Sequence, residues 1–470
     1  MVTETNRYAH QRLDALERRG LLAPQSRFRK WVDVTVEEMK RFIAILLSMG
    51  ITRRKNLADY WSTNPNLYIP YFSRNMSFKR FELITSMFHL SSIVSPPAGQ
   101  PGYDPWAKIR EFIDQLNDSF KAYFVPAQQV CIDESMVGMK NRTTFIQYMP
   151  NKRHSRFGIK KFELCDSATG YVMQSVLYSG KYFLSMGSDP FTHKVVAYLL
   201  GKAALLDKGY HLFTDNFYTK IRLARWLSDR NTFLTGTVNK RSKELSTAVL
   251  GASLEVGEAL YYRMRLEPTG SVLFVKYRER ATRKPVHLIT TAIHAQNTES
   301  TSASGRKSTK PLVIQVYNKH MGGVDLKDKS VYHLSCTRTS IKYWRKIVYN
   351  FTDMAMLNAY LLYKCQHSDK PMPRSKFVGS IIDQLSFANA APPPLPIAGP
   401  TGDIPGPHDI GKLPNRNNRE CVVCMEKHGL RRRTSFWCPT CNVGVHPLCN
   451  VSMDHNPELY RRRHGRKPTQ

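Results

Sequence analysis

Residues 130–140 read VCIDESMVGMK and place two acids, Asp133 and Glu134, directly after a short apolar run. A run of this kind is typical of a buried strand, so the two acids stand where that strand ends. The chain as a whole is basic: 69 Lys and Arg against 37 Asp and Glu give a formal net charge of +32. Carboxylates gathered inside such a chain are best explained by cations bound between them.

Two further acidic positions resemble the first. Asp215 ends the apolar run HLFT, and Asp325 follows a glycine pair at the expected start of a helix, with Asp328 one turn further on. Strand ends and a helix start can converge at one edge of a sheet, and converging carboxylates favour two-metal phosphoryl transfer. Taken singly, each Asp also fits a turn or an N-cap. Glu134 is expected to face away from Asp133, because neighbours on a strand alternate sides.

The excess of basic residues over 470 positions predicts a polyanionic partner, with nucleic acid as the leading interpretation. The alternatives are a generally basic solvated surface, a ribosome-associated protein or a membrane-surface protein. Residues 1–20 are polar and carry no secretory signal. The apolar stretch 343–364 is interrupted by charged and amide side chains, so it is predicted to be a core helix and not a membrane span.

The character of the sequence changes several times along the chain. Residues 1–128 are predicted to be helical, with a Thr35-x-x-Glu38 capping signature and Ser77 as an N-cap. Beyond them, short β-rich runs alternate with a helix at 219–230, which predicts an α/β core. The expected divisions are 129–240 (first part of the core), 241–311 (a β-rich insertion with a loop at 294–310), 312–334 (second part of the core), 335–387 (helical), 388–417 (a Pro-rich linker), 418–457 (Cys-rich) and 458–470 (a basic tail).

Two basic segments are candidates for DNA contact. Residues 148–161 follow the first strand and are expected to hold phosphates, with a solvated turn as the alternative. In residues 336–346 an aromatic ring stands among basic residues, and Trp344 can either stack on an unpaired base or pack in the core of its helix. The candidates are Lys152, Arg153, Arg156, Lys160 and Lys161 in the first segment and Arg338, Lys342, Trp344 and Arg345 in the second.

The C-terminal segment has the spacing of a zinc module. Its ligand pairs are Cys421-x-x-Cys424, Cys438-x-x-Cys441 and His446-x-x-Cys449. Each such pair supplies two of the four ligands of a tetrahedral zinc ion. We expect the first and third pairs to share one Zn²⁺, and the second pair to share another Zn²⁺ with a fourth pair. That fourth pair is irregular, because no cysteine follows His455. His455 is a candidate for the seventh of the eight zinc ligands, and His428 or Asp454 is a candidate for the eighth. The basic tail at 461–468 offers phosphate contacts or a nuclear-import signal.

Several motifs together closely resemble the piggyBac family of DNA transposases. The resemblance extends in order over essentially the whole chain, from TNRYAHQ and MSFKRFELI near the start to the segments that carry the acids. These segments are IDESMVGMKNRTTFIQYMPNKRHSRFGIK, CDSATGYV, TDNFYTKIRLARWL, YNKHMGGVDLKDK and YWRKIVYNFTDMAMLNAYLLYK. Family members commonly carry a long acidic leader before the helical domain. We expect that leader either to have been lost here or to lie outside this sequence.

The resemblance implies a fold and a reaction. It implies an RNase H-like catalytic core with a DDD triad at Asp133, Asp215 and Asp325, an additional acid at Asp328, and two Mg²⁺ ions that Mn²⁺ can replace. The helical parts on both sides would form a dimerisation and DNA-binding domain, and the Cys-rich end a cross-brace finger. Members of the family act in the nucleus as dimers, excise an element through hairpin ends and insert it at TTAA. The alternatives are a domesticated descendant that binds DNA without cutting it, and a nuclease without strand transfer.

Overall fold

Strand β1, which contains residues 130–138 of the stretch VCIDESMVGMK, lies in the middle of the largest sheet of this computed structural model. The structure describes residues 1–150, 155–183, 188–266, 270–301, 307–387, 410–413, 418–428, 430–438 and 443–447. The chain divides into two units, Met1–Ala390 and Ala391–Gln470. Each is described by itself below.

The larger unit mixes helices and strands. Its helices are α1 (Val2–Arg18), α2 (Val36–Ile51), α3 (Pro70–Asn75), α4 (Phe78–Met87), α5 (Arg110–Tyr123), α6 (Phe191–Ala203), α7 (Ile221–Ser228), α8 (Thr247–Gly251), α9 (Leu312–His320), α10 (Gly323–His333), α11 (Tyr343–Gln366) and α12 (Arg374–Phe387). Its strands are β1 (Gln129–Gly138), β2 (Ile146–Tyr148), β3 (Phe157–Asp166), β4 (Val172–Leu177), β5 (His211–Thr214), β6 (Phe233–Thr237), β7 (Ala259–Arg265), β8 (Ser271–Tyr277), β9 (Val286–Thr290), β10 (Asn297–Thr301) and β11 (Lys307–Pro311).

One sheet of nine strands organises this unit. Its order is β2-β3-β1-β5-β6-β9-β8-β7, with β4 paired to β3. The strands β1, β5 and β6 run parallel to one another, whereas β3 and β9 are antiparallel to their neighbours. Because β9 pairs directly with β6, the strands β7, β8 and β9 of the segment 241–311 extend the core sheet. The expected loop at 294–310 is wrong in part, since β10 and β11 within it pair as an antiparallel hairpin.

Helices cover both faces of the sheet around β1. On one face Lys161 of β3 contacts Met354 of α11, and α10 packs against β1 and β3. On the other face Phe162 packs against Phe191 of α6. This layering explains why the middle of β1 is apolar on both sides: Val130, Cys131 and Ile132 are fully buried.

The helical regions begin where their capping residues predict. The side chain of Thr35 accepts a hydrogen bond from the Glu38 backbone N–H at 3.1 Å, and Ser77 caps α4 through the Arg80 N–H at 3.3 Å. The stretch 343–364 is confirmed as a helix, since α11 spans Tyr343–Gln366. In the part of the chain that the structure describes, no helix has both the length and the apolar character to span a membrane.

The smaller unit contains short elements around a small apolar cluster. Its described elements are β12 (Gly411–Lys412), β13 (Arg419–Glu420), α13 (Val422–His428), β14 (Arg433–Thr434), β15 (Phe436–Cys438) and β16 (Val443–Gly444). Cys421, Val423, Cys424 and Val445 form its buried centre. Two cysteines at the centre of so small a core indicate a cross-link or a metal in place of extensive apolar burial.

Candidate active site

The parallel pairing of β1 and β5 brings two of the predicted acids together. The last residues in register are Ile132 and Thr214, so the next residue of each strand is an aspartate, Asp133 and Asp215. Carboxylate oxygens of Asp133, Glu134 and Asp215 all lie within 4.8 Å of one another. Three acids at one sheet edge form the candidate active site, called the acidic site below.

Local hydrogen bonds hold the two aspartates at the strand ends. The Oδ1 atom of Asp133 accepts the backbone N–H of Glu134 at 2.7 Å, and Oδ1 of Asp215 accepts that of Phe217 at 3.0 Å. The hydroxyl of Thr219 donates to the Asp215 carbonyl at 2.7 Å and so closes the turn after β5. Each side chain is therefore anchored through one oxygen, and its orientation is set before any ligand arrives.

Burial and like charge act together on the ionisable groups of the acidic site. Burial raises the pKa of Asp215, and the nearby Glu134 carboxylate raises it further. Burial also raises the pKa of Tyr218 well above its usual range, and Glu134, Asp133 and Asp215 add to this rise. A cation bound among these groups would stabilise their ionised forms, and oxygen donors of this kind suit Mg²⁺ or Mn²⁺.

Glu134 corrects the expectation that it lies away from Asp133. The backbone does alternate as predicted: Asp133 is opposite Glu163 and Glu134 is opposite Phe162 in the β1–β3 pair. However, β5 ends at Thr214, so beyond this point the edge of β1 is open and the longer Glu134 side chain reaches the other two acids. Glu134 also accepts a hydrogen bond from Lys160 Nζ at 3.0 Å. Its position directly after Asp133 was the available signal.

The helix α10 places the other two predicted acids beside β1. It comes very close to the strand at Gly323, where a Cβ atom would lie 2.7 Å from the sulfur of Cys131, so glycine is required. Asp325 lies in the first turn of α10, outside the group of three acids. The Oδ1 atom of Asp328 accepts hydrogen bonds from Ser135 Oγ at 2.7 Å and from Lys327 Nζ at 2.5 Å.

Beneath the acidic site lies a buried ionic cluster that the sequence did not suggest. Its members are Lys161, Glu163, Lys327 and Asp328. Lys161 was expected to contact phosphates, but this is wrong: its side chain is fully buried, and its Nζ donates to Glu163 at 2.6 Å. Burial lowers the pKa of Lys161. Burial works to raise the pKa of Glu163, but the charges of Lys161 and Lys327 outweigh it and lower it to about 2.

The two basic segments prove different from each other. In the first, Lys152 and Arg153 lie outside the described residues, Arg156 is exposed, and Lys160 is paired with Glu134 at the acidic site. The ammonium of Lys160 also lies over the rings of Phe162 and Phe217, at 4.7 and 4.9 Å. Lys160 is thus the candidate DNA contact that the structure brings to the acids.

In the second segment Trp344 packs in the core, which is one of its two predicted roles. Its ring is buried, stacks on Phe88 at 6.1 Å and meets the edge of His89. A ring enclosed in this way cannot stack on a base. Arg345 is also buried, and its guanidinium donates to the carbonyls of Ser86 and Phe88 at the end of α4.

The Cys-rich unit brings three predicted zinc ligands together. Donor atoms of Cys421, Cys424 and His446 lie within 4.8 Å of one another. Burial works to raise the pKa of Cys421, but hydrogen bonds from Cys424 and His446 outweigh it and lower it to about 7, which favours the thiolate that binds zinc. Cys438 is buried at the end of β15. Cys441, Cys449 and His455 lie outside the described residues.

Comparison with known proteins defines the class. A family model described as Transposase IS4 matches residues 1–360, so the chain belongs to that family of transposases. Among curated proteins it is 24% identical over 443 residues to human PiggyBac transposable element-derived protein 3, which covers 89% of this chain and 70% of that protein. It is 24% identical over 414 residues to human PiggyBac transposable element-derived protein 5, covering 84% of this chain and 74% of the relative.

The fold has a counterpart among solved structures. A cryo-EM structure of a piggyBac transposase synaptic complex with hairpin DNA superposes with a TM-score of 0.69 at 22% sequence identity. The match covers 96% of this chain and 94% of that one. The resemblance to the piggyBac family seen in the sequence is thereby confirmed, and the mixed α/β fold is that of a piggyBac transposase.

Proposed function

We propose that this protein is a metal-dependent DNA transposase that breaks and rejoins phosphodiester bonds at the acidic site. The observation that carries the proposal is the meeting of Asp133, Glu134 and Asp215 within 4.8 Å. Such a site in a chain of net charge +32 has little structural use unless cations and a polyanion occupy it. Membership of a transposase family supports the same class of reaction.

The donor set fits hard divalent cations. Asp133 and Asp215 would hold them, as the DDD triad implies, and Glu134 offers a third carboxylate. Asp325 would complete the triad from the first turn of α10. Bound Mg²⁺, or Mn²⁺ in its place, would supply Lewis-acid activation of the attacking oxygen and charge stabilisation of the leaving oxygen.

The protein's own groups would orient the DNA. Lys160, held beside Glu134, would attract a backbone phosphate towards the carboxylates, and the exposed Arg156 would hold the next part of the strand. Asp328 is tied to Ser135 and Lys327, so we assign it to holding α10 in place, with any metal contact secondary. In this proposal the core is RNase H-like and the helical parts 1–128 and 335–387 bind and dimerise.

The remaining features of the proposal follow the family. The substrate would be double-stranded DNA carrying the terminal repeats of an element, cut through hairpin ends and joined at TTAA in the nucleus by a homodimer. The Cys-rich unit would bind one zinc ion through Cys421, Cys424, His446 and Cys449, and a second through Cys438, Cys441 and the irregular fourth pair; of these residues Cys441, Cys449 and His455 lie outside those described. Zinc would there stabilise a fold whose own apolar core is small.

An excision assay tests the proposal. A reporter plasmid carrying the cognate element ends is compared in cells that express wild type or Asp215→Asn, with DNA binding measured in parallel. The wild type is expected to excise and the variant to bind without excising. If neither excises and both bind the ends, the enzyme assignment fails, and a domesticated DNA-binding protein, the second candidate, replaces it.

A further inference from the structure

A cavity of about 560 Å³ lies in the helical region, away from the acidic site. Its walls come from α1, α2 and α4 and from residues 337–345, which lead into α11. Its volume is within the range of sites that bind a small molecule or a single nucleotide. None of the three acids of the acidic site lines it.

The cavity is electropositive. Its lining includes five cationic residues and, within the described part of the chain, no acidic one; the five are Arg12, Lys55, Arg338, Lys342 and Arg345. Burial lowers the pKa of Lys342 to about 8, and the neighbouring Arg345, Arg12 and Lys108 contribute to this decrease. Cations that disfavour one another's charge in this way are stabilised when an anion binds between them.

Three of the five cations divide into two roles, and Arg12 combines them, since its guanidinium donates one hydrogen bond to the Ser86 carbonyl at 3.4 Å and has further donors. Arg338 donates to the carbonyls of Arg54 and Met49 at 3.0 and 3.1 Å, and Arg345 donates to carbonyls at the end of α4, so these two hold the walls. The ammonium of Lys342 lies over the rings of Tyr8 and Trp344, at 5.2 and 6.0 Å. Such contacts use no hydrogen-bond donor, so Lys342 can bind a ligand.

Two buried polar atoms in the wall have no hydrogen-bond partner among the described residues. They are the hydroxyl of Thr85 and the Nε of Arg345, whose side chain is more than nine-tenths buried. A buried donor without an acceptor is costly, and native structures usually satisfy it with a ligand or water. Both atoms are closed to solvent, so a ligand in the cavity would reach them only after a small movement of the wall.

The rest of the lining suits a flat apolar group. Leu57 and Ile341, neither of which is buried, supply apolar surface. The N-terminus of the 24-residue helix α11 begins at the cavity, directly after Lys342, and its dipole adds positive potential there. A nucleotide combines these two requirements, because its base is flat and its phosphate is anionic. A base stacked within a duplex cannot enter such a cavity, whereas an unstacked one can.

We propose that this cavity binds one unpaired nucleotide of a DNA strand, with the phosphate on Lys342 and Arg12 and the base against Leu57 and Ile341. The inference rests on the proposed function, since it names the form of DNA that the helical region would hold. It gives the helical region a direct means of recognising strand ends that are not paired.

Fluorescence anisotropy of the full chain tests the inference. The probes are a blunt duplex and a duplex of the same length with a 5′-phosphorylated single-stranded overhang, and deoxynucleoside monophosphate or inorganic phosphate serves as competitor. Wild type should bind the overhang probe about tenfold more tightly than the blunt one, the effect of one or two charged hydrogen bonds. The monophosphate should compete better than inorganic phosphate, because only the former carries a base.

Three variants make the result specific. Lys342→Gln removes a phosphate contact, and Thr339→Trp, at an exposed position of the lining, fills the cavity without changing its charge. Both should abolish the preference for the overhang. Lys208→Gln removes the same charge from an exposed position outside the cavity and should keep the preference. Circular dichroism confirms that each variant folds.

The inference is overturned if wild type shows no preference, or if Lys342→Gln and Thr339→Trp both retain it. Competition by inorganic phosphate equal to that by the monophosphate would also overturn it, since a simple anion site would then suffice. Failure of the proposed function is distinguishable: a wild type that prefers the overhang without excising a reporter element keeps the cavity assignment and loses the enzyme.

Discussion

Asp133 and Glu163 stand opposite each other in the β1–β3 pair, yet their surroundings differ completely. Glu163 is fully buried between two lysines, Lys161 and Lys327. Asp133 is only partly buried and gathers with two other acids. Within one pair of strands, one carboxylate is therefore surrounded by lysines, and the other gathers with further carboxylates.

The difference shows how a cation site can be recognised without a bound cation. In the buried ionic cluster, two lysines balance the two acids Glu163 and Asp328, so the cluster needs no further charge. At the acidic site three carboxylates converge, and Lys160 is paired with one of them. Burial alone therefore does not mark a functional acid; an excess of like charge at one place does.

The largest expected effect contrasts the two opposed residues directly. Asp133→Asn should lower the rate of DNA cleavage by about a thousandfold or more, because one metal ligand is lost. The thermal midpoint of the Asp133→Asn variant should stay equal to or above that of wild type, because the repulsion among the three acids decreases. Cleavage of a labelled end substrate and a thermal melt measure the two quantities. A variant that melts much earlier would make Asp133 structural, like Glu163.

Breaking the buried ionic cluster should lower the stability of the fold, in contrast to Asp133→Asn, which should lower the cleavage rate. Lys327→Met leaves Glu163 buried with one cation fewer and should destabilise the fold by about 3–5 kcal/mol. The matched control is Lys329→Met, two residues further along α10 at an exposed position, which should change stability by less than about 0.5 kcal/mol. Urea unfolding followed by tryptophan fluorescence compares them. Equal stability of the two variants would contradict the assignment.

A third carboxylate sharpens the comparison. Asp353 is buried and accepts hydrogen bonds from Ser335, Cys336 and Thr337. Burial raises its pKa from 3.8 to about 6. The folded state therefore holds its proton more tightly than the unfolded state, and stability is lost as pH rises from about 4 to 6.

The loss for Asp353 should reach about 3 kcal/mol above pH 6, at about 1.4 kcal/mol per pKa unit. Asp353→Asn cannot ionise, so its thermal midpoint should rise relative to wild type between pH 4 and pH 7. Melts of both proteins at several pH values measure this difference. A difference that does not change with pH would show that Asp353 does not titrate in this range.

The smallest expected effect concerns Glu134. Glu134→Gln should slow cleavage by about tenfold and increase the Mg²⁺ concentration needed for half-maximal rate, because one of three carboxylates is neutralised while the two aspartates remain. A magnesium titration of the cleavage rate measures it, with Glu37→Gln at an exposed position of α2 as control. An unchanged titration would return Glu134 to the structural role that strand alternation predicts.

The parts of the candidate site that depend on strand ends can be predicted from the sequence. An apolar run followed by an acid indicates where a side chain emerges, and parallel pairing brings such ends together, which is how Asp133 and Asp215 were predicted. The position of Glu134 could not be predicted in this way. The alternation of side chains along a strand gives the direction in which a side chain leaves the backbone, but not how far the side chain reaches. The open edge beyond Thr214, which allows that reach, depends on where the neighbouring strand stops.

The buried lysines could not be predicted for a different reason. Lys161 lies in a run of basic residues, and its burial depends on Met354 and Phe351 of α11, far along the chain. Lys327 looks like an ordinary helix-surface lysine until α10 is placed on β1. The joining of the segment 241–311 to the core sheet likewise depends on the pairing of β9 with β6. In each case the decisive contact is between distant segments.

The contact between Lys327 and Ser135 joins residues 192 positions apart. A ribosome delivers Ser135, Lys161 and Glu163 long before it delivers Lys327, so in a nascent chain the second lysine of Glu163 arrives only when α10 emerges. The sheet edge that carries the acids can therefore close only late in synthesis.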